Sequence, residues 1–364
     1  MKILLCFGTL PEAIKMAPLY HGLKRTNHIV KVCVTAQHRQ MLDQVLDFFE
    51  IIPDFDLNLM RPDQSLNGLS SEILKEIDEV LVVEKPDLVL VHGDTTTSSM
   101  VALAAFNRHI KIGHVEAGLR TFNRKAPFPE EMNRQVTAKL ADYHFAPTKL
   151  ARQNLLKEGI NKENIVVTGN TVVDALIWTE NKIKKGYKSP KIEQLEQDLD
   201  SKKLVLVTGH RRENFGEKFN HFCEALLEIS KNKNVNIVFP VHLNPNVQES
   251  VNRLLSGIEN IHLIDPVEYP VMVWLMKKSD LIISDSGGIQ EEAPTFKKQI
   301  LVTRELSERP EGVASGFSIL VGTDKALIVN KANYILNKGK ILEGKNPYGD
   351  GKASKKIIQY LQKM

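Results

Sequence analysis

The feature that most constrains this 364-residue chain is the regular alternation of short, continuous apolar runs with longer segments of helical spacing. Such runs, separated by helices, predict strands buried on both faces of a parallel sheet, and therefore an α/β fold. The first half contains the runs KILLCF, VKVCVT, DLVLVHG, KIGHVE, YHFAP and NIVVTGN, and the second contains KLVLVTGH, VNIVFPVH, NIHLID, DLIISDSGG, QILVT and SILVG. Helical spacing marks Met41–Phe49, Ser71–Val83, Glu131–Leu140 and Phe219–Ile229.

The two series of runs predict two doubly wound domains. A chain of 364 residues is long for a single hydrophobic core. The stretch 181–203, rich in Lys, Gln, Glu and Asp, separates the series. Its lysine-rich part, Asn181–Lys191, is interpreted as a solvated linker or helix end.

Composition narrows the functional class. The chain is 42% hydrophobic and 25% charged, and its net charge of +4 is too small and too dispersed to indicate nucleic-acid binding. No apolar run approaches ~20 residues and the N-terminus enters a strand at once, so neither a membrane span nor a signal peptide is expected. Cys6, Cys33 and Cys223 are far apart, which predicts no disulfide framework, no metal site and a reducing, cytoplasmic location.

Polar residues collect where the predicted strands end. In open parallel sheets, ligands bind beyond the carboxyl ends of the strands. Because such clusters occur in both halves, we expect the two domains to face each other across a cleft. The clusters are Gly8-Thr9, His92-Gly93-Asp94, His114-Val115-Glu116, His210-Arg211-Arg212-Glu213, His242 and Ser284-Asp285-Ser286-Gly287-Gly288.

The segment LIISDSGGIQEEAP has the form of a phosphate-binding turn. We expect Ser286, Gly287 and Gly288 to form the turn between a strand and a helix, whose free N–H groups would bind an anion. Glu292, one turn later, could accept hydrogen bonds from ribose hydroxyls. The alternative is a serine N-cap followed by glycines that only serve the turn.

The segment VTGHRRENFGE indicates an anionic ligand, since arginine and histidine favour phosphate oxygens. Adjacent side chains in a turn diverge, so one of Arg211 and Arg212 is expected to face the ligand. A surface cluster of ion pairs is the alternative.

Carboxylates follow two strands and begin one helix. Asp94 and Glu116 end strands, and Glu130 and Glu131 open the helix that carries Arg134. Paired carboxylates with separated pKa values serve proton abstraction and return. The structural alternatives are a turn role for Asp94, acids at a helix N-terminus and an i,i+4 pair between Glu130 and Arg134.

The segments together resemble the non-hydrolysing UDP-N-acetylglucosamine 2-epimerases over essentially the whole chain. The specificity lies in the ordered set of motifs and not in any single one. The motifs are FGTLPEAIKMAPL, TAQHRQMLDQVL, VHGDTTT, GHVEAGLRT, PFPEEMNRQ, FAPT, VTGNTVVDAL, GHRRENFGE, PVHLNPNV, SDSGGIQEEAP, ERPEG and NPYGDGKAS.

This resemblance implies a glycosyltransferase-B-like fold with two Rossmann-like domains and no cofactor. The implied domains are 1–170 with the acid/base carboxylates, 171–345 with the UDP site, and 346–364 as a helix that crosses back to the first domain. The implied reaction interconverts UDP-GlcNAc and UDP-ManNAc for surface polysaccharide. UDP is eliminated to leave 2-acetamidoglucal and is then re-added. The resemblance also implies a homodimer.

The resemblance also implies roles for individual residues. The implied catalytic residues are Asp94, Glu116, Glu130 and His210. The implied substrate-binding residues are Lys15, Arg134, Ser286, Gly287, Gly288 and Glu292. Arg211 and His242 are added as substrate-binding residues because they belong to the polar clusters at strand ends. The TAQHRQ loop, otherwise an ordinary helix start, matches a region that binds a second, regulatory UDP-GlcNAc in bacterial relatives, through Gln37, His38 and Gln40. Asp63 stands where some relatives have an arginine that supports this second site.

Four other functions share parts of this pattern. A hydrolysing epimerase would release free ManNAc and UDP, and another epimerase would act on a modified UDP-sugar. A glycosyltransferase shares the architecture, although the carboxylates of the first domain favour epimerisation. A non-catalytic sensor would bind UDP-GlcNAc without turnover.

Leu10 departs from the family pattern. In FGTLPEAIKM, Pro11 and Glu12 suit the first turn of a helix. The family has arginine in place of Leu10, where it approaches the diphosphate, and Lys15 lies one turn further on. Leucine neither donates a hydrogen bond nor carries charge, so one charge-assisted contact is expected to be missing.

Overall fold

The computed structural model describes residues 1–36, 39–59, 61, 64–209, 211, 215–305, 307–339 and 342–364, without the side chains of residues 39–41. The chain forms two compact units. The first consists of Met1–Ile177 together with Tyr348–Met364, and the second of Trp178–Pro347. The division lies within one helix, Thr171–Lys184, and the polar stretch that follows it contains a further helix at Pro190–Asp198.

The first unit alternates strands and helices from its N-terminus. Its strands are β1 (Lys2–Phe7), β2 (Ile29–Val34), β3 (Phe55–Asp56), β4 (Leu88–His92), β5 (Lys111–Val115), β6 (Tyr143–Ala146) and β7 (Ile165–Val167). Its helices up to the division are α1 (Leu10–Leu23), α2 (Arg39–Phe48), α3 (Leu66–Glu84), α4 (Thr96–Asn107), α5 (Glu130–Leu140), α6 (Lys149–Lys157) and α7 (Thr171–Lys184).

In the described part of this unit the strands form one seven-stranded parallel sheet in the order β3-β2-β1-β4-β5-β6-β7. Residues Ile3–Phe7 and Leu88–His92 are buried on both faces of the sheet. This burial is the physical reason for the continuous apolar runs. The strand order reverses between β1 and β4, so the loops after these strands separate there and leave a crevice at the carboxyl edge.

The second unit repeats this plan. Its helices are α8 (Pro190–Asp198), α9 (Glu217–Ile229), α10 (Pro245–Leu255), α11 (Tyr269–Lys278), α12 (Gly287–Glu292), α13 (Pro310–Ala314) and α14 (Lys325–Lys338). Its strands β8 (Lys203–Thr208), β9 (Val235–Pro240), β10 (Ile261–Ile264), β11 (Leu281–Ser284), β12 (Ile300–Val302) and β13 (Ser318–Leu320) form, within the described residues, a six-stranded parallel sheet in the order β10-β9-β8-β11-β12-β13. The order reverses between β8 and β11.

The C-terminal segment completes the first unit. Helix α15 (Ala353–Leu361) lies against α1. Asp174, in α7, accepts hydrogen bonds from the backbone N–H groups of Ala353 (3.1 Å) and Ser354 (2.8 Å). A side chain distant in sequence therefore satisfies two of the N–H groups at the start of α15, which has no side-chain cap of its own.

The predicted fold class, α/β with two doubly wound parallel sheets, is confirmed. The predicted helical segments lie within or close to α2, α3, α5 and α9, which begin one to five residues earlier than the apolar spacing indicated. Polar capping residues at helix starts, such as Ser65 before α3, extend a helix beyond its apolar stripe. Within the described residues, no helix is both long and apolar enough to cross a bilayer.

We expect Asp174→Ala to destabilise the first unit by about 1–3 kcal/mol, because it leaves two N–H groups of α15 unpaired in a buried position. Chemical denaturation followed by circular dichroism measures the loss. The control is Asp350→Ala, which removes an exposed carboxylate near the same helix start and should cost less than about 1 kcal/mol. Equal losses in the two variants would contradict this role for Asp174.

Candidate active site

The crevice of the first sheet starts with the turn between β1 and α1. Thr9 and Glu12 form a capping box. The Glu12 carboxylate accepts from Gly8 N (3.0 Å), Thr9 N (2.9 Å) and Thr95 Oγ1 (2.8 Å). Burial raises the pKa of Glu12, although His92 and these hydrogen bonds oppose the rise. Glu12 therefore connects the loops after β1 and β4 and serves the architecture of the crevice.

Gly8 is required by close packing at this turn. A Cβ on Gly8 would lie 2.0 Å from Thr35 Oγ1 and 2.6 Å from Thr97 Oγ1, which are hydrogen-bonded to each other at 2.8 Å. No side chain fits in that space. The first turn of α1 is therefore held in a fixed position, and with it the half-buried Leu10 and the buried Lys15.

Glu116 lies at the carboxyl end of β5 in a left-handed backbone conformation, with φ of 63°. Its side chain is buried, and Oε2 accepts from Lys15 Nζ at 2.5 Å and from Asn170 Nδ2 at 2.7 Å. His92 Nε2 lies 3.6 Å from the same oxygen. Burial opposes ionisation, but the charge of Lys15 and the nearby His92 outweigh it and hold the pKa of Glu116 well below its usual range.

The two oxygens of Glu116 differ. Oε2 has the contacts just described, whereas Oε1 accepts no hydrogen bond from any described residue. A Cβ placed on Gly93 would be 3.8 Å from Oε1, so this oxygen lies over the turn that leads to Asp94. Glu116 is thus an ionised carboxylate with one oxygen held in place and the other available to a ligand.

Asp94 follows β4 and forms an ion pair with Arg134. Arg134 is buried, and its Nη1 also donates to Glu131 Oε2 at 3.1 Å. Glu131 is fully buried and accepts from the backbone N–H groups of Thr121 (3.0 Å) and Phe122 (3.2 Å). Glu131 therefore orients Arg134, and Arg134 orients the Asp94 carboxylate.

Glu130 differs from its neighbour. The structure forms the i,i+3 pair between Glu131 and Arg134 in place of the i,i+4 pair considered for Glu130. Glu130 Oε2 is buried and has no hydrogen-bond partner within the described residues. Of the two adjacent acids, only Glu130 has a carboxyl group that the packing leaves for chemistry.

In the second unit, the loops after β8 and β11 meet at the corresponding crevice. Thr208 Oγ1 and Ser284 Oγ are 2.6 Å apart, and Ser284 Oγ accepts from Ser286 N at 2.9 Å. Asp285 Oδ2 accepts from the backbone N–H of Arg211 at 2.9 Å. These contacts place the backbone at Arg211 beside the loop that contains Ser286.

The start of α12 differs from the predicted turn. The helix begins at Gly287, with Ser286 as an N-cap residue whose side chain makes no capping hydrogen bond. The glycines thus lie in the first helical turn, and a Cβ on Gly287 would be 2.6 Å from the guanidinium of Arg309. A side chain at Gly287 would have to displace the Arg309 guanidinium, whose Nε donates to Glu291 Oε1 at 2.8 Å.

The remaining predicted residues of this unit have defined surroundings. Glu292 is buried, and its Oε1 accepts from the Tyr269 hydroxyl at 2.6 Å. Burial and the Glu292 charge raise the pKa of Tyr269 well above its usual value. His242 is exposed, and its Nδ1 accepts from Asn244 N at 3.1 Å.

Some predictions fall outside the described residues. They are the predictions for Gln37, His38, Asp63, His210 and Arg212, and the one for the side chain of Gln40. Among the residues that the structure does describe, no group of three or more His, Cys, Asp or Glu side chains is arranged to hold a metal ion.

For three residues of the site, the sequence did not predict the role that the structure shows. Asn170 and Arg309 lie within motifs that carried the resemblance, but neither was given a role, and Glu12 was interpreted only as a first-turn acid. The capping box at Thr9 and Glu12 is a sequence signature. By contrast, Asn170 contacts a residue 54 positions earlier in the chain. Sequence spacing carries no signal for that contact.

Comparisons with known proteins agree along the whole chain. A family model described as UDP-N-acetylglucosamine 2-epimerase matches residues 21–362. A protein of that name from Salmonella typhimurium is 53% identical, over 100% of this chain and 98% of its own length. The crystal structure of UDP-GlcNAc 2-epimerase from Neisseria meningitidis bound to UDP-GlcNAc is 48% identical, with a TM-score of 0.92 and full coverage of both chains.

We expect Glu131→Gln to destabilise the first unit by about 2–4 kcal/mol, because a neutral amide leaves Arg134 partly unpaired in a buried position. Glu130→Gln is the matched control on the adjacent residue and should change stability by less than about 0.5 kcal/mol. Chemical denaturation followed by circular dichroism compares the two. A Glu131 variant as stable as the Glu130 variant would refute the structural role of Glu131.

Proposed function

Because the chain belongs to the UDP-N-acetylglucosamine 2-epimerase family, we propose that it reversibly interconverts UDP-GlcNAc and UDP-ManNAc at C2 of the sugar. The observation that carries this proposal is Glu116, a buried and ionised carboxylate with one oxygen held by Lys15 and Asn170. Such a group is suited to accept a proton from carbon.

The proposed reaction passes through elimination and re-addition. A carboxylate removes the C2 proton, the electron pair forms the C1–C2 double bond, and the bond from C1 to the UDP oxygen breaks. In the return step the UDP oxygen bonds to C1 and an acid protonates C2 on the opposite face. The electron balance closes without a redox cofactor. UDP that stays bound is close to C1, which favours re-addition.

The carboxylates of the first unit divide this work by their surroundings. Glu116 is assigned as the base because its lowered pKa keeps it ionised, and therefore able to accept a proton, at neutral pH. Glu130 has a buried oxygen without a described partner. It is suited to act as the second proton-transfer group, which accepts a proton in one direction of the reaction and donates it in the other. Asp94 is held by Arg134, whose charge Asp94 and Glu131 together compensate. In the structure Arg134 pairs with Asp94 and Glu131. A contact between Arg134 and UDP stays a prediction.

The second unit would bind the nucleotide. Gly287 and Gly288 would offer backbone N–H groups at the start of α12 to the diphosphate, and Ser286, whose own N–H donates to Ser284, would offer its hydroxyl, with Arg211 nearby. The Glu292 carboxylate, oriented by Tyr269, would accept from the ribose hydroxyls. His210 as stabiliser of departing UDP, His242 as a substrate contact, and the regulatory site at Gln37, His38 and Gln40 stay predictions, as do the homodimer and the cytoplasmic location.

Incubation with UDP-GlcNAc in deuterated water, followed by NMR, tests this function. We expect UDP-ManNAc with deuterium at C2, because the acid that protonates C2 on the opposite face has exchanged its own proton with the deuterated solvent. Glu116→Gln should lower the rate at least about 100-fold, as expected for loss of a general base. Free ManNAc with UDP would indicate hydrolysis, and the absence of deuterium at C2 would exclude epimerisation by proton transfer.

Leu10 gives a second test. It lies in the first turn of α1, half-buried, at the position where the family pattern has arginine. We expect Leu10→Arg to raise kcat/KM about 10-fold or more, because a charge-assisted contact to the diphosphate would be gained. Leu10→Gln has similar length without charge and should not produce the gain. An unchanged or lower kcat/KM in the arginine variant would mean that native cations already compensate.

A further inference from the structure

We infer that Asn170 is a positioning residue for the proposed proton transfer: it holds Glu116 Oε2, so that Oε1 is the oxygen that exchanges a proton with the sugar. This inference rests on the proposed function and goes beyond it by assigning the reactive oxygen. Asn170 lies in the loop between β7 and α7, is 2% exposed, and donates from Nδ2 to Glu116 Oε2 at 2.7 Å.

The contacts of Asn170 determine the orientation of its amide. Oδ1 accepts from the backbone N–H of Val172 at 3.0 Å. A backbone N–H can only donate, so the atom facing it must be the amide oxygen, and the amide nitrogen must face Glu116. A donor in that position favours the ionised form of the carboxylate.

The same contacts determine which oxygen of Glu116 can receive a proton. Lys15 and Asn170 both direct N–H groups at Oε2, and a proton on Oε2 would point at one of these donors. Oε1 has no such donor among the described residues. The proton therefore arrives at and leaves from Oε1, on the side of Gly93.

Glu116 needs this external support because its backbone is in the left-handed region. It lies beyond the last residue of β5, so the ladder does not orient its side chain. Lys15 supplies charge from a flexible stem, whereas Asn170 supplies a short, neutral and buried donor with only two rotatable bonds. The two partners are therefore not equivalent.

The C-terminal segment holds Asn170 in turn. Asn170 N donates to Tyr348 O at 2.7 Å. Gly169 has φ of 92°, and a Cβ there would lie 3.3 Å from the Cα of Gly349. The returning chain thus packs directly on the loop that presents Asn170. The C-terminal segment therefore helps to hold Asn170 against Glu116.

The test is the pH profile of kcat/KM for UDP-GlcNAc, which reports groups of the free enzyme. Among the residues that the structure describes, the groups that face Glu116 are Lys15, His92 and Asn170, with Glu12 next to His92. With the Asn170 donor removed, the pKa of Glu116 rises and the base is protonated at higher pH, so the acidic limb moves upward. We expect Asn170→Ala to lower kcat/KM about 10- to 100-fold and to move this limb by about one pH unit.

Asn170→Asp is a second variant, which keeps nearly the same shape but replaces the amide donor by a carboxylate. It places a second carboxylate against Oε2, so it should move the acidic limb further upward than Asn170→Ala does. The control is Asn260→Ala, which removes another buried asparagine, one that donates to Ser230 O and Val235 O in the second unit. This control should lose stability without moving the acidic limb.

Infrared titration of the carboxyl band that Glu116→Gln abolishes gives a second readout, independent of turnover. An upward shift of that titration in both Asn170 variants supports the inference. Folded variants that keep the wild-type limb and titration overturn it, and so does failure of both to fold, because Asn170 would then serve the architecture alone. A wild-type protein without epimerase activity would refute the proposed function, while the infrared titration would still decide the role of Asn170.

Discussion

The buried contact between Glu116 and Lys15 is the interaction on which the arrangement of the first unit depends. Removing two charges from water is costly, and mutual attraction offsets that cost only when the geometry and the additional hydrogen bonds are good. Here Asn170 supplies one such bond and His92 lies nearby. Apolar residues could fill this space at lower cost, so the pair is better explained by chemistry than by stability.

Maintaining that contact requires several elements to be placed together. Lys15 is on α1, which is fixed by the capping box at Thr9 and by the close packing at Gly8. Asn170 is held by the segment that contains Tyr348. A second buried network, Glu131–Arg134–Asp94, presents the Asp94 carboxylate at the same carboxyl edge of the sheet. In the first network Asn170 positions Glu116, and in the second Glu131 positions Asp94 through Arg134. Each network therefore leaves one acid, Glu116 or Asp94, for the reaction.

The sequence alone was enough to predict the α/β class and the strands, because burial on both faces of a parallel strand demands continuous apolar runs. It also located the polar residues at strand ends, where Asp94 and Glu116 are found. It did not distinguish Glu130 from Glu131, since both are acids in the first turn of α5. Their difference is a matter of burial and partners, which spacing does not encode.

The sequence by itself determined the features that depend on neighbouring residues. These are the strands, the helix starts, and the Pro and Glu that begin α1. Tertiary structure alone decided that Gly287 makes room for Arg309, and that Asn170 reaches Glu116. It also decided that residues near the C-terminus complete the first unit. These are contacts between residues far apart in the chain, and their existence depends on how sheets and helices pack, because no short-range preference of the chain specifies them.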